Sequence, residues 1–492
     1  MKTKVPVASG KRSRPDLPLL AALASLSAAV TAQQIALLQI LSWTHWHHFA
    51  YMIVAIALLG FGIAGSILAL GRGGLLTGGH AWLPWLLILT AISIPLGISL
   101  AQRDALALDL PLLFFDPGKN AWRLAALCLL MLPPFLCGGL ATGLILITHA
   151  RCAGRYYAAS LAGAGLGGLI GLVFVARLAP PRLAPAVALI ALTGAICLVL
   201  QPLFDRRQPG SDVNSHRLSG GQLFGVLAAG LYLVVAWQWP AGLRASEFKP
   251  IRRTLDLPDA RIIVSRPSVH GWIQIVDAPA LRPAPAVSLE YQGEIPPQRE
   301  VFSNGLAYGS LLDAAATQNP RWLEFTTDAV AFLPRSPRRV LLLESGPGGW
   351  AALAVARGAT RVIVVEPNRA LVDLLTSSEH PLAPEWRLPS VELVPSTGRT
   401  HLRQTKQEFD LIRFPTVGAL GGTAGLASTS EQFLLTREAF IDAWRHLAPD
   451  GMIAVTAWLD FPERNPLRLL ATLVATIESA GLPPRSHLVA VC

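Results

Sequence analysis

Over the first half of the chain, apolar residues do not alternate with polar ones; they run on. Seven stretches, at about 17–41, 49–70, 82–101, 122–148, 156–176, 183–203 and 219–240, are almost free of charge. A helix of roughly 20 apolar residues crosses the hydrocarbon core of a bilayer. Most of the stretches reach that length, so they predict about seven membrane-crossing helices. The first is too long for a signal peptide and lacks a small-residue cleavage site, so it reads as a retained helix. Pro133 and Pro134 interrupt the fourth and predict a kink, because proline removes a backbone donor and clashes with the preceding turn.

From Arg244 onward charges return at ordinary density and the pattern changes. Short β-branched runs at 261–265 and 271–276 read as strands, and the turn pair Asn304-Gly305 closes a small β-rich region. Beyond residue 336 strands alternate with helices. Strands are expected at 338–344, 361–366, 391–394, 409–412 and 452–458, and helices after the glycine turn at 346–349, over 432–448 and over 466–480. Such alternation implies a mainly parallel, doubly wound sheet. The expected fold is therefore multi-domain: a transmembrane helical bundle (1–242), a small β-rich subdomain (243–335) and an α/β Rossmann-like domain (336–492).

Composition sharpens this picture. The chain has 492 residues, 52% hydrophobic and 15% charged, against about 25% charged in an average soluble domain. The net charge of +10 does not point to nucleic acid, because no basic-aromatic stripe accompanies it. Many of the cations sit in the N-terminal tail and the connecting loops, where lipid headgroups and topology account for them. The bilayer is the expected partner, and a bacterial inner membrane the expected location. Which side the soluble half faces stays open. Lys2, Lys4, Lys11, Arg12 and Arg14 draw the N-terminus inward, and seven crossings then put the soluble half outside, yet Arg244, Lys249, Arg252 and Arg253 draw that end inward too.

Candidate chemistry in the membrane half is sparse. The five cysteines, Cys128, Cys137, Cys152, Cys197 and Cys492, form no C-x-x-C pair, and read as small apolar residues of packed helices. His45, His47 and His48 lie close enough to ligate haem or a metal, but with Trp43 and Trp46 they also fit an interfacial belt of amphipathic rings, and no metal is expected. Gln33, Gln34 and Gln39 are unusual in a membrane helix and are expected to bond to a neighbouring helix, with a polar cavity as the alternative. Gly163, Gly165, Gly167, Gly168 and Gly171 suit close helix–helix approach; a phosphate loop is the weaker alternative, since no Lys-Ser/Thr follows.

The soluble half carries more. A buried strand ends in Glu344, and a turn with Gly346, Gly348 and Gly349 leads into a helix. Glycines allow a ligand to approach the backbone closely. About 20 residues on, Glu366 ends the next strand, where an acid can accept both hydroxyls of a ribose. The alternative is a turn that needs glycine for geometry alone.

The soluble half resembles the spermidine synthase (polyamine aminopropyltransferase) family, whose catalytic domain has the S-adenosylmethionine-dependent methyltransferase fold. The resembling residues are 268–275 (SVHGWIQI), 301–305 (VFSNG), the turn at 346–349, Glu366, 434–440 (LLTREAF) and 447–451 (LAPDG). Residues 49–52, 57–65 and 156–168 resemble the membrane bundle fused to such domains in many bacterial proteins. The resemblance implies a nucleoside site for S-adenosylmethionine or its decarboxylated form, held by Glu344, Gly346, Gly348, Gly349 and Glu366. It also exposes departures. Pro347 stands where the turn usually carries Asp. Ser396-Thr397-Gly398 replaces the acid expected on the adenine side. His270-Gly271 replaces a Tyr-Gln pair. The catalytic Asp expected after the fourth strand falls on Pro415, leaving Glu324 as the surviving family acid. Aminopropyl transfer needs carboxylates to hold a cationic amine and take its proton, so a domain degenerate for that reaction is expected. An active membrane-tethered aminopropyl- or methyltransferase, and a transporter or scaffold subunit with complex partners or as a homo-oligomer, are the alternatives. Residues 486–492 read like the start of a strand, and a truncated or divergent end is expected.

Overall fold

The computed structural model describes residues 16–45, 49–71, 79–108, 115–201, 219–377, 382–417, 433–459 and 464–491. The chain divides into two compact units, Met1–Ser246 and Glu247–Cys492.

Among the described residues the first unit is built of helices: α1 (Leu17–Thr44), α2 (Phe49–Leu70), α3 (Gly79–Ala101), α4 (Pro117–Met131), α5 (Pro133–Thr148), α6 (Ala153–Arg177), α7 (Pro180–Val199) and α8 (Gly220–Gln238). Among the described residues, seven spans are long and apolar enough to cross a membrane, with α4 and α5 together forming the one at Pro117–Thr148. The break between them falls at Leu132, ahead of the proline pair. Helix α1 is largely enclosed, with Leu23, Ala29, Ala32 and Leu37 fully buried. Glycines bring its neighbours in. A Cβ on Gly163 or Gly167 of α6 would overlap the backbone of Ala24 or Ala28, and one on Gly138 of α5 would lie 2.8 Å from Val30 Cγ2. Ser27 and Ser160 share a 2.8 Å hydrogen bond across α1 and α6. The outward faces are also apolar: Leu58, Leu166, Leu169 and Leu231 are all exposed.

The second unit opens with the short helix α9 (Pro250–Leu255) and strands β1 (Arg261–Arg266), β2 (Ile273–Asp277), β3 (Arg299–Ser303) and β4 (Leu306–Leu311). These form one antiparallel sheet in chain order. Asn304 (φ 48°) and Gly305 (φ 73°) make the β3–β4 turn with two left-handed residues, the geometry that matches strand twist. Lys249, fully buried, donates from Nζ to the Asn304 carbonyl at 2.5 Å. Burial pushes its pKa down to about 7. Helix α10 (Ala314–Gln318) follows.

The rest alternates: β5 (Arg339–Leu343), α11 (Trp350–Ala356), β6 (Arg361–Val365), α12 (Arg369–Leu375), β7 (Val391–Val394), α13 (Gly398–Gln404), β8 (Phe409–Arg413), α14 (Arg437–Arg445), β9 (Leu447–Ala454), α15 (Asn465–Ser479) and α16 (Pro484–His487). The sheet order is β7-β6-β5-β8-β9 and every neighbouring pair is parallel. Side chains alternate across it. Val340 and Leu342 join one core, Leu341 and Leu343 the other, so both faces are covered, as a parallel sheet requires.

Two elements differ from expectation. Helix α14 ends at Arg445, and β9 starts at Leu447 and runs through Pro449. A bulge reconciles this: Phe409 pairs with Leu447 and Leu411 with Met452, so the turn-forming 449–451 segment is absorbed into the strand. At the end of the chain the short helix α16 occupies 484–487 and residues 488–491 form no strand.

Candidate nucleoside site at the sheet edge

The strand order places the topological reversal between β5 and β8: β6 and β7 extend the sheet one way, β8 and β9 the other. Ligands of open α/β sheets bind outside the strand carboxyl ends at such a point. The sequence-read residues and several unforeseen ones meet along this edge.

Beyond β5, Glu344 (φ 46°), Gly346 (φ 62°) and Gly349 (φ 78°) turn the chain through left-handed conformations. A Cβ on Gly346 would sit 2.8 Å from the Tyr308 carbonyl, and one on Gly349 2.7 Å from Leu312 and from Leu323. These two glycines are therefore demanded by backbone shape and by packing against the β4 segment. Gly348 lies under the Trp350 indole, whose Nε1 would be 2.8 Å from an added Cβ. Helix α11 has 7 residues.

Glu344 reaches sideways, its Oε1 accepting the Gly398 backbone N–H at 2.6 Å. Burial raises its pKa, and that hydrogen bond partly offsets the rise. Glu366 ends β6 and is fully buried. Both its oxygens accept the Tyr308 hydroxyl, at 2.9 and 3.0 Å, and Oε1 also accepts Asn368 N–H at 2.9 Å. Burial pushes its pKa up to about 7, against those bonds. Asn368 Oδ1 in turn accepts Ser268 Oγ at 3.0 Å, and Ser268 Oγ accepts His270 N–H at 3.2 Å. The 268–271 segment thus reaches the acid through a chain of hydrogen bonds.

On the other side of the reversal stands Arg413, the last residue of β8, with its side chain 2% exposed. Its Nη2 pairs with Asp328 Oδ2 at 3.0 Å, its Nη1 donates to Ser345 Oγ at 3.0 Å, and Nη2 donates to Thr416 Oγ1 at 3.3 Å. The guanidinium lies 4.3 Å over the Trp350 ring. Thr456 Oγ1 donates to Asp328. Sequence reasoning missed Tyr308, Asp328, Trp350 and Arg413. Only Arg413 left a trace, as a charge set between Leu411-Ile412 and Phe414 at a strand end.

Pro415 lies two residues past β8 and offers no proton acceptor. Glu324 pairs with Arg357 at 3.4 Å. Among the described residues, no hydrogen bond or ion pair joins it to the Glu344–Glu366 cluster. Two polar features of the membrane half bear only partly on the structure. His45 closes α1, its Nδ1 2.7 Å from Thr44 Oγ1, whereas His47 and His48 fall outside the described residues. Gln33 is buried, and its Oε1 has no donor among the described residues. Among the described residues no group of three or more His, Cys, Asp or Glu could hold a metal. A surface cleft of about 610 Å³, lined by Asp259, Arg261, Asp277 and Arg299 among others, contains none of the sheet-edge residues. Its arginines, Arg261 and Arg299, both pair with Asp277, at 3.5 and 3.4 Å.

No family model matches the chain, and no curated protein matches it. Solved structures that resemble it include a spermidine synthase in complex with the transition-state analogue AdoDATO and the spermidine synthase from Thermotoga maritima. Each is 17% identical with a TM-score of 0.29, over 44% and 45% of this chain respectively and 63% of each of theirs. The chain thus spans under two thirds of those proteins' length, and the fold assignment rests on the strand order above.

Proposed function

We propose that this chain is an integral membrane protein, in a bacterial inner membrane, whose second unit binds an S-adenosylmethionine-type nucleoside and has lost aminopropyl transfer. The observation that carries the nucleoside reading is Glu366. It stands at the tip of the strand beside the reversal, and both its oxygens already accept a hydroxyl, that of Tyr308. The tyrosine hydroxyl stands in for a sugar hydroxyl, so the carboxylate fits the role chemically.

The chain's own residues divide the work. Glu366 would accept the two ribose hydroxyls once Tyr308 withdraws. The left-handed turn at 344–349 brings backbone near the sugar, and Glu344 fixes the start of α13 through Gly398. When bound, such a nucleoside supplies an electrophilic carbon beside a sulfonium. At the tip of β8 the chain presents Arg413, Phe414 and Pro415, none of which takes a proton from an attacking amine. Lipid exposure of the first unit is supported by its apolar outward side chains.

Calorimetric titration of the full chain in detergent with S-adenosylmethionine tests the site. Charge-assisted hydrogen bonds are worth about 1.5–3 kcal/mol, so Glu366→Ala should weaken binding by about tenfold or more. No nucleoside binding by the unaltered protein would overturn the cofactor reading and leave a scaffold role. Ready formation of spermidine from putrescine and the decarboxylated nucleoside would overturn the loss of aminopropyl transfer.

A further inference from the structure

One buried ion pair at the sheet edge takes no part in holding a sugar. An arginine at the end of an apolar strand carries a large desolvation cost unless it is fully partnered. Arg413 is partnered on every side the structure shows: Asp328 at 3.0 Å, Ser345 at 3.0 Å, Thr416 at 3.3 Å and the Trp350 face at 4.3 Å. Such a group sits where the fold puts ligands, at the junction of β5 and β8.

Its place along the edge matters. Strand β6 ends in Glu366, the neighbouring β5 ends in the 344–349 turn, and β8 ends in Arg413. Ser345 belongs to that turn and is bonded to Arg413, so the ion pair lies directly against it. A ribose gripped by its 2′ and 3′ hydroxyls sends its base and its 5′ chain in opposite directions, because C1′ and C4′ flank the gripped edge. From β6 one direction leads to β7, where Ser396, Thr397 and Gly398 are uncharged. The other leads across the turn to Arg413 and Asp328. A neutral base suits the first side and a charged chain the second.

The pair also has a definite chemical complement. Arginine offers a planar fork of donors that fits a carboxylate, and aspartate accepts from an ammonium. An α-amino acid carries both groups on one carbon. Resting on the nucleoside reading above, we propose that Arg413 and Asp328 select a nucleoside whose 5′ chain ends in an intact α-amino acid, carboxylate toward Arg413 and ammonium toward Asp328. A decarboxylated chain, which ends in an ammonium alone, keeps the contact with Asp328 but brings Arg413 no carboxylate. The domain is thereby turned from the decarboxylated nucleoside toward S-adenosylmethionine. The Trp350 ring, 4.3 Å from the guanidinium, helps hold it in place.

Three probes titrated calorimetrically into the full chain in detergent separate the possibilities: S-adenosylmethionine, its decarboxylated form, and 5′-methylthioadenosine, which lacks both charged groups of the chain. The expected result is S-adenosylmethionine binding about tenfold or more tightly than the decarboxylated form. Arg413→Gln should abolish that preference while 5′-methylthioadenosine binds within about twofold of the unaltered protein. If Arg413→Gln does not fold, the comparison in the unaltered protein still decides. Equal or tighter binding of the decarboxylated form overturns the inference alone, provided 5′-methylthioadenosine binds. Failure of all three probes overturns the nucleoside reading and this inference with it.

Discussion

Glu366 is held between opposing influences: burial favours its neutral form, while Tyr308 and Asn368 donate to the charged one, and its pKa settles at about 7. Only the carboxylate can accept two ribose hydroxyls with both oxygens, so nucleoside affinity should fall as pH drops through 7, by about fivefold between pH 7 and pH 6. Tyr308→Phe removes the competing hydroxyl and should tighten binding about threefold or more at pH 8, where the acid is mostly charged. Calorimetry at pH 6, 7 and 8 on both proteins checks this; weaker binding by Tyr308→Phe would mean that the tyrosine helps the ligand rather than competing with it. Glu385 shows the cost of burial with little relief. It is fully buried, neither side-chain oxygen has a geometric hydrogen-bond partner among the described residues, and burial, only partly offset by its own backbone, pushes its pKa up to about 8. An unfolded glutamate titrates near about 4.3. With the folded value the higher, its contribution to stability is fully present below about 4.3 and is lost as pH rises through about 8. Glu385→Gln keeps the shape and removes the titration. Thermal melts should show it gaining about 4 °C or more over the unaltered protein at pH 8 and little at pH 5; an identical pH profile for the two would count against a buried, titrating Glu385.

At the scale of elements, the α1–α6 contact depends on the absence of side chains at one spacing. Gly163 and Gly167 lie where a Cβ would overlap α1 backbone, and Gly171 where it would lie 3.1 Å from Ile35, whereas Gly165 and Gly168 meet nothing within 4 Å. In lipid, such close approach supplies the van der Waals contact that drives helix association. Gly167→Leu should cost at least about 1–3 kcal/mol and lower the detergent melting temperature or the yield of monodisperse protein, while Gly165→Leu should be tolerated. Equal behaviour of the two variants would contradict the packing described. Strand β9 makes a second point about elements. The 447–451 segment has turn chemistry, yet pairing with β8 draws it into the strand at the expense of a bulge and a left-handed Asp450 (φ 62°).

Across the whole molecule, the two units solve the burial of apolar surface in opposite ways. The second unit covers both faces of its parallel sheet with side chains. The first leaves large apolar side chains such as Leu58, Leu169 and Leu231 facing outward, far beyond the apolar patches of ordinary soluble surfaces. A bilayer would answer that surface, as the proposed membrane placement requires. Carbonate extraction should leave the full chain, and the 17–240 segment expressed alone, in the membrane pellet, and release the 247–492 segment to the wash. Recovery of the 17–240 segment in the wash would defeat the membrane reading.

The apolar runs, the parallel strands, the turn at 346–349 and the position of Glu366 at the tip of β6 were all legible in the sequence. Each depends on a local pattern: run length, β-branching, glycine at a tight turn, an acid closing a strand. What surrounds Glu366 was not legible, because Tyr308 is 58 positions away and no local pattern announces a hydroxyl aimed at a distant carboxylate. The same holds for Arg413, whose contact with Ser345 spans 68 positions and whose charge is balanced by an aspartate on another element. Local patterns determined which elements form and which acid ends which strand. Only the tertiary structure decided what each buried charge is paired with, since burial forces a charge to find a partner in space, wherever along the chain that partner lies.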